Sequence, residues 1–579
     1  MGVRIGHACA LLALVGTAGC YDGLSGQDRS PFGAGDADGG GADGGDGDGG
    51  DGGEGPVAGL CGDPQTGPTA LRRLTNDQYD RTVADLLGVE TNFSTSFAPD
   101  ERIGAFKSNG AAPVGQLQVE QYMDAAEGLA TEAVSDLGAL LPCDPTAMGE
   151  DACAEMFVRE FGLKAYRRPL TDGEVAGVMA VYADGKAEGA FVDGIRIAVQ
   201  GLLQSPFFLY HIENGIEAGV PGEPVALSGY EMASRLSYFL WNTMPDDELF
   251  AAAEAGDLLT TEGIEAQVDR MLADDRSYEA IADFHLQWLG VDHIEALEKN
   301  PTAYPDFTPE LAAAMRAETA AFSNWVMREG EGSLQTLLTA DFTITDDPDL
   351  LALYGATLPA GHTPGDPVPL DATQRSGVLT HASLLAEHAH ADQTSPVHRG
   401  QLIRENFLCQ MLPPPPMNVD NVPPDPAPGA TTRERFAEHT ADPSCAGCHQ
   451  LIDGLGFAFE SYDGIGAFRD LDQGLPVDAS GAIFGTDDID GEIDGALQLA
   501  AQLASSRQVS ACVAQQWFRF ALGRLETDDD QCAFDHMLES FDESDQDMRA
   551  LVKTIILSDS FRFRRVDELS AAPLDPEEI

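Results

Sequence analysis

Thr75-Asn76-Asp77-Gln78-Tyr79-Asp80-Arg81-Thr82-Val83-Ala84-Asp85-Leu86-Leu87-Gly88 decides the fold class. Thr75 with Gln78 three residues on is a capping box. The two side chains satisfy N–H groups that the first helical turn leaves open. Tyr79, Val83, Leu86 and Leu87 recur at helical spacing, and Gly88 closes the segment. The pattern returns along the chain. Thr171 with Glu174 opens a segment carrying Val175, Met179 and Tyr182. Ser228 with Glu231 opens one carrying Leu236, Phe239 and Leu240. Thr308, followed by Pro309 at the first helical position, opens one carrying Leu311, Met315, Phe322 and Val326. Thr431 with Glu434 opens a fifth, ending near His439. Alternating strand patterns are scarce. The expected class is therefore mostly α: a multi-module helical body. One short echo stands out. Leu203-Gln204-Ser205-Pro206-Phe207-Phe208 and Ile556-Leu557-Ser558-Asp559-Ser560-Phe561 both end a helix on a serine and then an aromatic.

Proline-rich stretches punctuate the body at Leu358–Pro369 and, more densely, at Leu412–Pro428. Such segments are stiff and cannot join a helix. Before the body comes a stretch of another kind. Residues 1–19 read as a secretory signal, with Arg4 as the only charge and an apolar run from Ala8 to Val15. That run is too short to span a bilayer. It ends in Thr17-Ala18-Gly19-Cys20, which looks like a bacterial lipobox with Cys20 as the lipidation site. The usual leucine is replaced by Thr17. From Gly33 to Gly55 the chain holds 13 Gly, 6 Asp, 3 Ala and 1 Glu, which can bury no apolar surface. Residues 20–60 are expected to be a lipid-anchored, disordered Gly/Asp-rich tether. The expected location is the cell envelope, reached by export.

The 579-residue chain has 96 acidic and 33 basic residues, a net charge of -63. The body from residue 61 keeps 31 basic and 87 acidic residues, a net of -56, so the tether is not the main source. This excludes nucleic acid as a partner, because phosphate neutralisation needs clustered Lys and Arg. It also excludes charge-driven binding to anionic lipid, leaving the lipid anchor as the only membrane contact. With 43% apolar residues and 27 Phe, the chain can still build a large core.

The sharpest motif is Cys445-Ala446-Gly447-Cys448-His449, the spacing of covalent haem c attachment. Two thiols can add to the two haem vinyl groups, and the adjacent His449 is placed to ligate the iron. A thioredoxin-like redox pair would need a βαβ pattern, and a structural zinc site would need a second Cys or His pair. Neither is evident. One haem c is the expected cofactor. The distal ligand stays open between His439, Met411 and Met417. His381, His388, His390 and His398 form a loose cluster, with His388 and His390 read as solvated. Ile452 to Phe457 and Tyr462 to Gly466 read as glycine turns with aromatics suited to packing on a flat ring. No Ser-His-Asp arrangement, phosphate loop or HExxH motif is present.

An exported chain should leave few thiols unpaired. The disulfide candidates are Cys61, Cys143, Cys153, Cys409, Cys512 and Cys532. Local pairing joins Cys143 to Cys153 across a loop-like segment and Cys512 to Cys532, leaving Cys61 with Cys409. Spacing alone does not fix connectivity.

Several of these residues carry a resemblance. Leu74 to Gly88, Ala165 to Leu170, Ser205 to Tyr210, Ser234 to Trp241 with Met244 to Asp247, Ser395 to Gly400 with Cys445 to Arg469, and Ala521 to Arg524 resemble a multidomain family of planctomycetes and myxobacteria. That family strings together domains of unknown function 1587, 1595, 1592, 1588 and 1585. The resemblance places these modules at residues 61–140, 141–215, 222–358, 370–470 and 485–566. It implies an exported, cytochrome-c-associated protein with the haem motif in the fourth module. It implies no substrate. The leading expectation is an exported single-haem c protein passing electrons to a redox partner with a basic docking face. The alternatives are a haem-dependent oxidoreductase of peroxidase or oxygenase type, and a surface scaffold with a non-redox CxxCH.

Overall fold

All five capping signals open helices. In a computed structural model that describes residues 62–89, 92–110, 114–216, 220–413, 429–439 and 443–565, the Thr75 hydroxyl accepts from the Gln78 N–H. The Gln78 amide oxygen in turn accepts from the Thr75 N–H at 3.1 Å. The helix Asn76–Leu87 stops at Gly88, whose φ of 66° suits a residue without Cβ. Thr171, Ser228 and Thr308 cap the helices Asp172–Glu188, Gly229–Leu240 and Pro309–Asn324. Thr431 and Glu434 exchange bonds at the start of the helix Thr432–His439. Helix takes 58% and strand 8%, so the mostly α class holds. The signal segment, the 20–60 tether, Cys20, Cys61 and Met417 lie outside the described residues.

The strands come as two-stranded antiparallel pairs. Arg72–Arg73 pairs with Tyr210–His211, and Pro224–Ala226 with Phe563–Arg565. These pairs give the sequence echo a structural meaning. Each echo ends a helix, begins a one-turn helix at Ser205 or Ser558 and runs into one of these strands; the Ser205 hydroxyl accepts from the Phe207 N–H, whereas that of Ser558 donates back to the Ile555 carbonyl. A buried arginine from another segment closes each unit. Arg167 donates to the carbonyls of Phe207, Phe208 and Tyr210. Arg235 donates to the carbonyls of Ser560, Phe561 and Phe563, the equivalent three positions.

The described residues, from 62 to 565, form one compact unit. Its cores ignore the boundaries read from sequence. The largest runs from Phe106 through Leu236, Phe284 and Leu455 to Phe518 and Phe561. Phe284 stacks on Trp517 with ring centroids 3.6 Å apart, and on Phe106 and Trp288. A second core joins Tyr79, Phe157 and Phe208 to Tyr238 and Met244. The Leu358–Pro369 stretch is no free linker, because Val368–Pro369 pairs with Phe342–Thr343. Residues 414–428 of the second proline run are outside the described residues.

Cys143 and Cys153 form a disulfide. The stretch between them is not a loop: Pro145–Met148 is a helical turn, and Cys153 sits in the helix Glu150–Tyr166. The expected Cys512–Cys532 pair is wrong. Cys512 bonds Cys409 across 103 residues, which also removes the expected Cys61–Cys409 bridge. The helix Arg507–Leu522 is buried against the segment after Ile403–Phe407, and that tertiary approach brings the two sulfurs together. Cys532 is itself disulfide-bonded. Among the described residues no helix is long and apolar enough to cross a membrane, which with the disulfides is compatible with export.

Candidate functional site

Pro443–Phe457 is a single helix, so Cys445, Cys448 and His449 sit at positions i, i+3 and i+4 of one face. Gly454 and Gly456 belong to this helix and not to turns. Their role is close packing. A Cβ on Gly456 would lie 1.8 Å from the Pro396 carbonyl oxygen, and one on Gly454 would lie 2.3 Å from that of Ala482. The helix therefore rests backbone to backbone on the helix Pro396–Leu402 and the strand Ser480–Ile483. Two buried arginines fix the frame beneath it. Arg404 donates to the carbonyls of Leu451 and Phe484 at 2.7 and 2.8 Å. Arg399, fully buried, donates to those of Leu385, Phe459, Tyr462 and Asp463. Burial pulls its pKa down to about 10. The Tyr462–Gly466 turn thus packs on Arg399 and on Ala382, against which Gly466 lies.

Cys448 carries a free, half-buried thiol. His449 and Asp453, one turn apart, bond through Nδ1 and Oδ1 at 2.9 Å, with side chains 18% and 15% exposed. A carboxylate accepts, so Nδ1 carries the proton, and in the neutral ring the lone pair sits on Nε2. A carboxylate holding the far ring nitrogen is the usual second layer around a metal-ligating histidine. The donor set of thiol, imidazole and orienting carboxylate fits haem c. Sequence reading missed Asp453, although its i+4 spacing from His449 was the available signal.

Of the distal candidates, Met411 has a described side chain. Met411 is 77% exposed. His439 ends the helix Thr432–His439, and its side chain, like that of Cys445, is outside the described residues. Of the four clustered histidines, His388, His390 and His398 stay close enough to act on one another, while His381 turns to another partner. Buried His381 bonds Thr319 Oγ1 through Nδ1. His388, half-buried rather than solvated, donates from Nε2 to the Leu289 carbonyl at 2.9 Å, and burial lowers its pKa to about 4. His390 is half-buried as well, with its ring 5.1 Å from that of His398. Among the described residues no group of three or more His, Cys, Asp or Glu side chains is placed to hold a metal ion.

Five protein-family models match, each described as a protein of unknown function. In chain order they are DUF1587 at residues 72–135, DUF1595 at 153–213, DUF1592 at 227–356, DUF1588 at 375–472 and DUF1585 at 490–561. The chain belongs to the multidomain family built from these five domains. The DUF1588 model bears the name PSCyt3, a cytochrome-associated domain, and its match spans the Cys448–His449–Asp453 site. No curated protein and no solved structure matches the chain. In DUF1587–DUF1585 terms, the Cys409–Cys512 disulfide joins the DUF1588 and DUF1585 matches, and the Phe284–Trp517 stack joins DUF1592 to DUF1585.

Proposed function

We propose that this protein is an exported, single-haem c-type electron carrier, tethered to the cell envelope through Cys20. The observation that carries the reading is the His449–Asp453 pair beside the free Cys448 thiol on one helix. Cys445 and Cys448 would hold the haem through two thioethers, and His449 Nε2 would ligate the iron. Bound there, the haem supplies a one-electron redox centre. The chain's own residues do the positioning. Asp453 keeps the proton on Nδ1 and fixes the ring orientation. Gly454 and Gly456 hold the helix rigidly against its neighbours, so the ligand is set by a scaffold and not by a loop.

The test is a haem stain on a denaturing gel, using protein made with a cytochrome c maturation system. Wild type should give a stained band. Cys445→Ala with Cys448→Ala should give none, with the chain still folded by circular dichroism. A colourless wild-type band sinks the reading.

A further inference from the structure

A polar cavity of about 40 Å³ lies in the helical body, at the strand pair Arg72–Arg73 and Tyr210–His211. Its walls come from four of the five family domains and none of the haem-motif domain. Four cationic side chains line it, Arg72, Arg73, Lys107 and Arg235, against two carboxylates, Asp77 and Asp283. In a chain of net charge -63 that local excess of positive charge is the reverse of the whole.

Most of these charges are already committed. Lys107 Nζ bonds Asp77 Oδ2 at 2.6 Å. Arg235 holds Glu213 with two bonds and three carbonyls besides. Asp283 accepts from the Asn242 amide and lies 3.9 Å from Arg81. Arg72 differs. Among the described residues its guanidinium makes no hydrogen bond and no ion pair within 4 Å; the Glu213 carboxylate attracts it from further off, while burial drives its pKa down to about 10. Arg73, 4% exposed, also leaves its Nε without a partner. The Arg72 fork lies at the C-terminal end of the helix Arg507–Leu522, beside Gly523, whose carbonyl oxygen is taken by Ser108. His211 stands directly across the strand pair from Arg72. Burial, with Arg72, Arg167 and Arg235 nearby, holds it far below its ordinary pKa, so its ring is neutral.

Arg72 is half-buried, and its guanidinium, with no protein acceptor, leaves its donors open to an incoming anion. The volume admits about three waters' worth of atoms, which matches one carboxylate group with its adjoining carbon. The planar fork matches a carboxylate in two parallel bonds. Asp77 and Asp283 in the wall disfavour a doubly charged oxyanion. We propose that this cavity is a binding site for a small monocarboxylate, with Arg72 as the residue that holds its two oxygens. The site is independent of the haem reading and stands or falls separately.

The probe is sodium acetate added to the full chain, with sodium sulfate as the control anion, followed by calorimetric titration and thermal unfolding. Saturable acetate binding with a rise in Tm is expected, and none with sulfate. Arg72→Met should lose at least about tenfold in acetate affinity. Arg72→Met also removes an attraction to the Glu213 carboxylate, so the variant should unfold somewhat earlier than wild type when acetate is absent, and binding is read from the acetate-induced rise in Tm, which should be lost. Arg72→Lys keeps the charge and loses the fork, and it too should bind acetate more weakly. Three results overturn the proposal: no saturable acetate binding, equal binding of sulfate, or acetate binding unchanged in Arg72→Lys. An Arg72→Met chain that fails to fold makes the arginine structural and overturns it as well.

Discussion

Buried arginines and histidines carry much of this molecule's specificity at the level of single side chains. Arg167, Arg235 and Arg399 each donate to three or more backbone carbonyls of another segment, which satisfies carbonyls that no helix ladder reaches. Sequence gives no sign of this, because an arginine's partner is set by tertiary approach and not by spacing. His285 shows the consequence for pH. It is fully buried, donates from Nδ1 to the Ile281 carbonyl, and is held down to about 4 by burial. Its pKa is therefore lower folded than unfolded. The stability it contributes is present above its ordinary value of 6.5 and is lost as pH falls towards 4. From about pH 7 to about pH 5 the loss is about 2 kcal/mol. Chemical denaturation at the two pH values should show His285→Leu losing less stability than wild type by that amount. An identical loss in both would show that His285 does not titrate as its burial requires.

At the level of elements, the helix starts were legible and the strands were not. A capping box is local, so Thr75 with Gln78, or Ser228 with Glu231, declares itself within four residues. Two-residue strands such as Arg72–Arg73 have no period to read. The Cys409–Cys512 bond was illegible for the same reason as the arginine clamps, since 103 residues separate its ends. Around the CxxCH stretch the local structure was not legible: Ile452 to Phe457 looked like turns and is helix, because the helical cost of Gly454 and Gly456 is offset by close backbone contact. Adding one methyl there should tell. Gly454→Ala meets the Ala482 carbonyl at 2.3 Å and should destabilise the protein by about 3 kcal/mol. The checks are urea unfolding and the yield of haem-loaded protein, both of which should fall. Gly447→Ala, on the same helix with nothing within 4 Å, is the control and should change stability by under about 1 kcal/mol.

For the whole molecule, the five family domains share continuous cores, so they do not pack as separate units. Phe106, Phe284, Trp517 and Phe561 lie in one core though their family matches differ. The acidity of the molecule bears on partners. With a body of -56 around the proposed haem site, association with a basic redox protein should be steered by charge. Stopped-flow electron transfer to a basic partner should slow at least about tenfold from about 0.01 M to about 0.3 M salt. A rate indifferent to salt would contradict charge steering.

The central claim is one covalent haem on the helix Pro443–Phe457. The most direct measurement is the reduced pyridine haemochrome spectrum of the purified protein, quantified against protein concentration. The account predicts the band of a haem joined through two thioethers, at one haem per chain, and its disappearance in Cys445→Ala with Cys448→Ala. A spectrum without haem, or haem extracted by acid acetone, would contradict it.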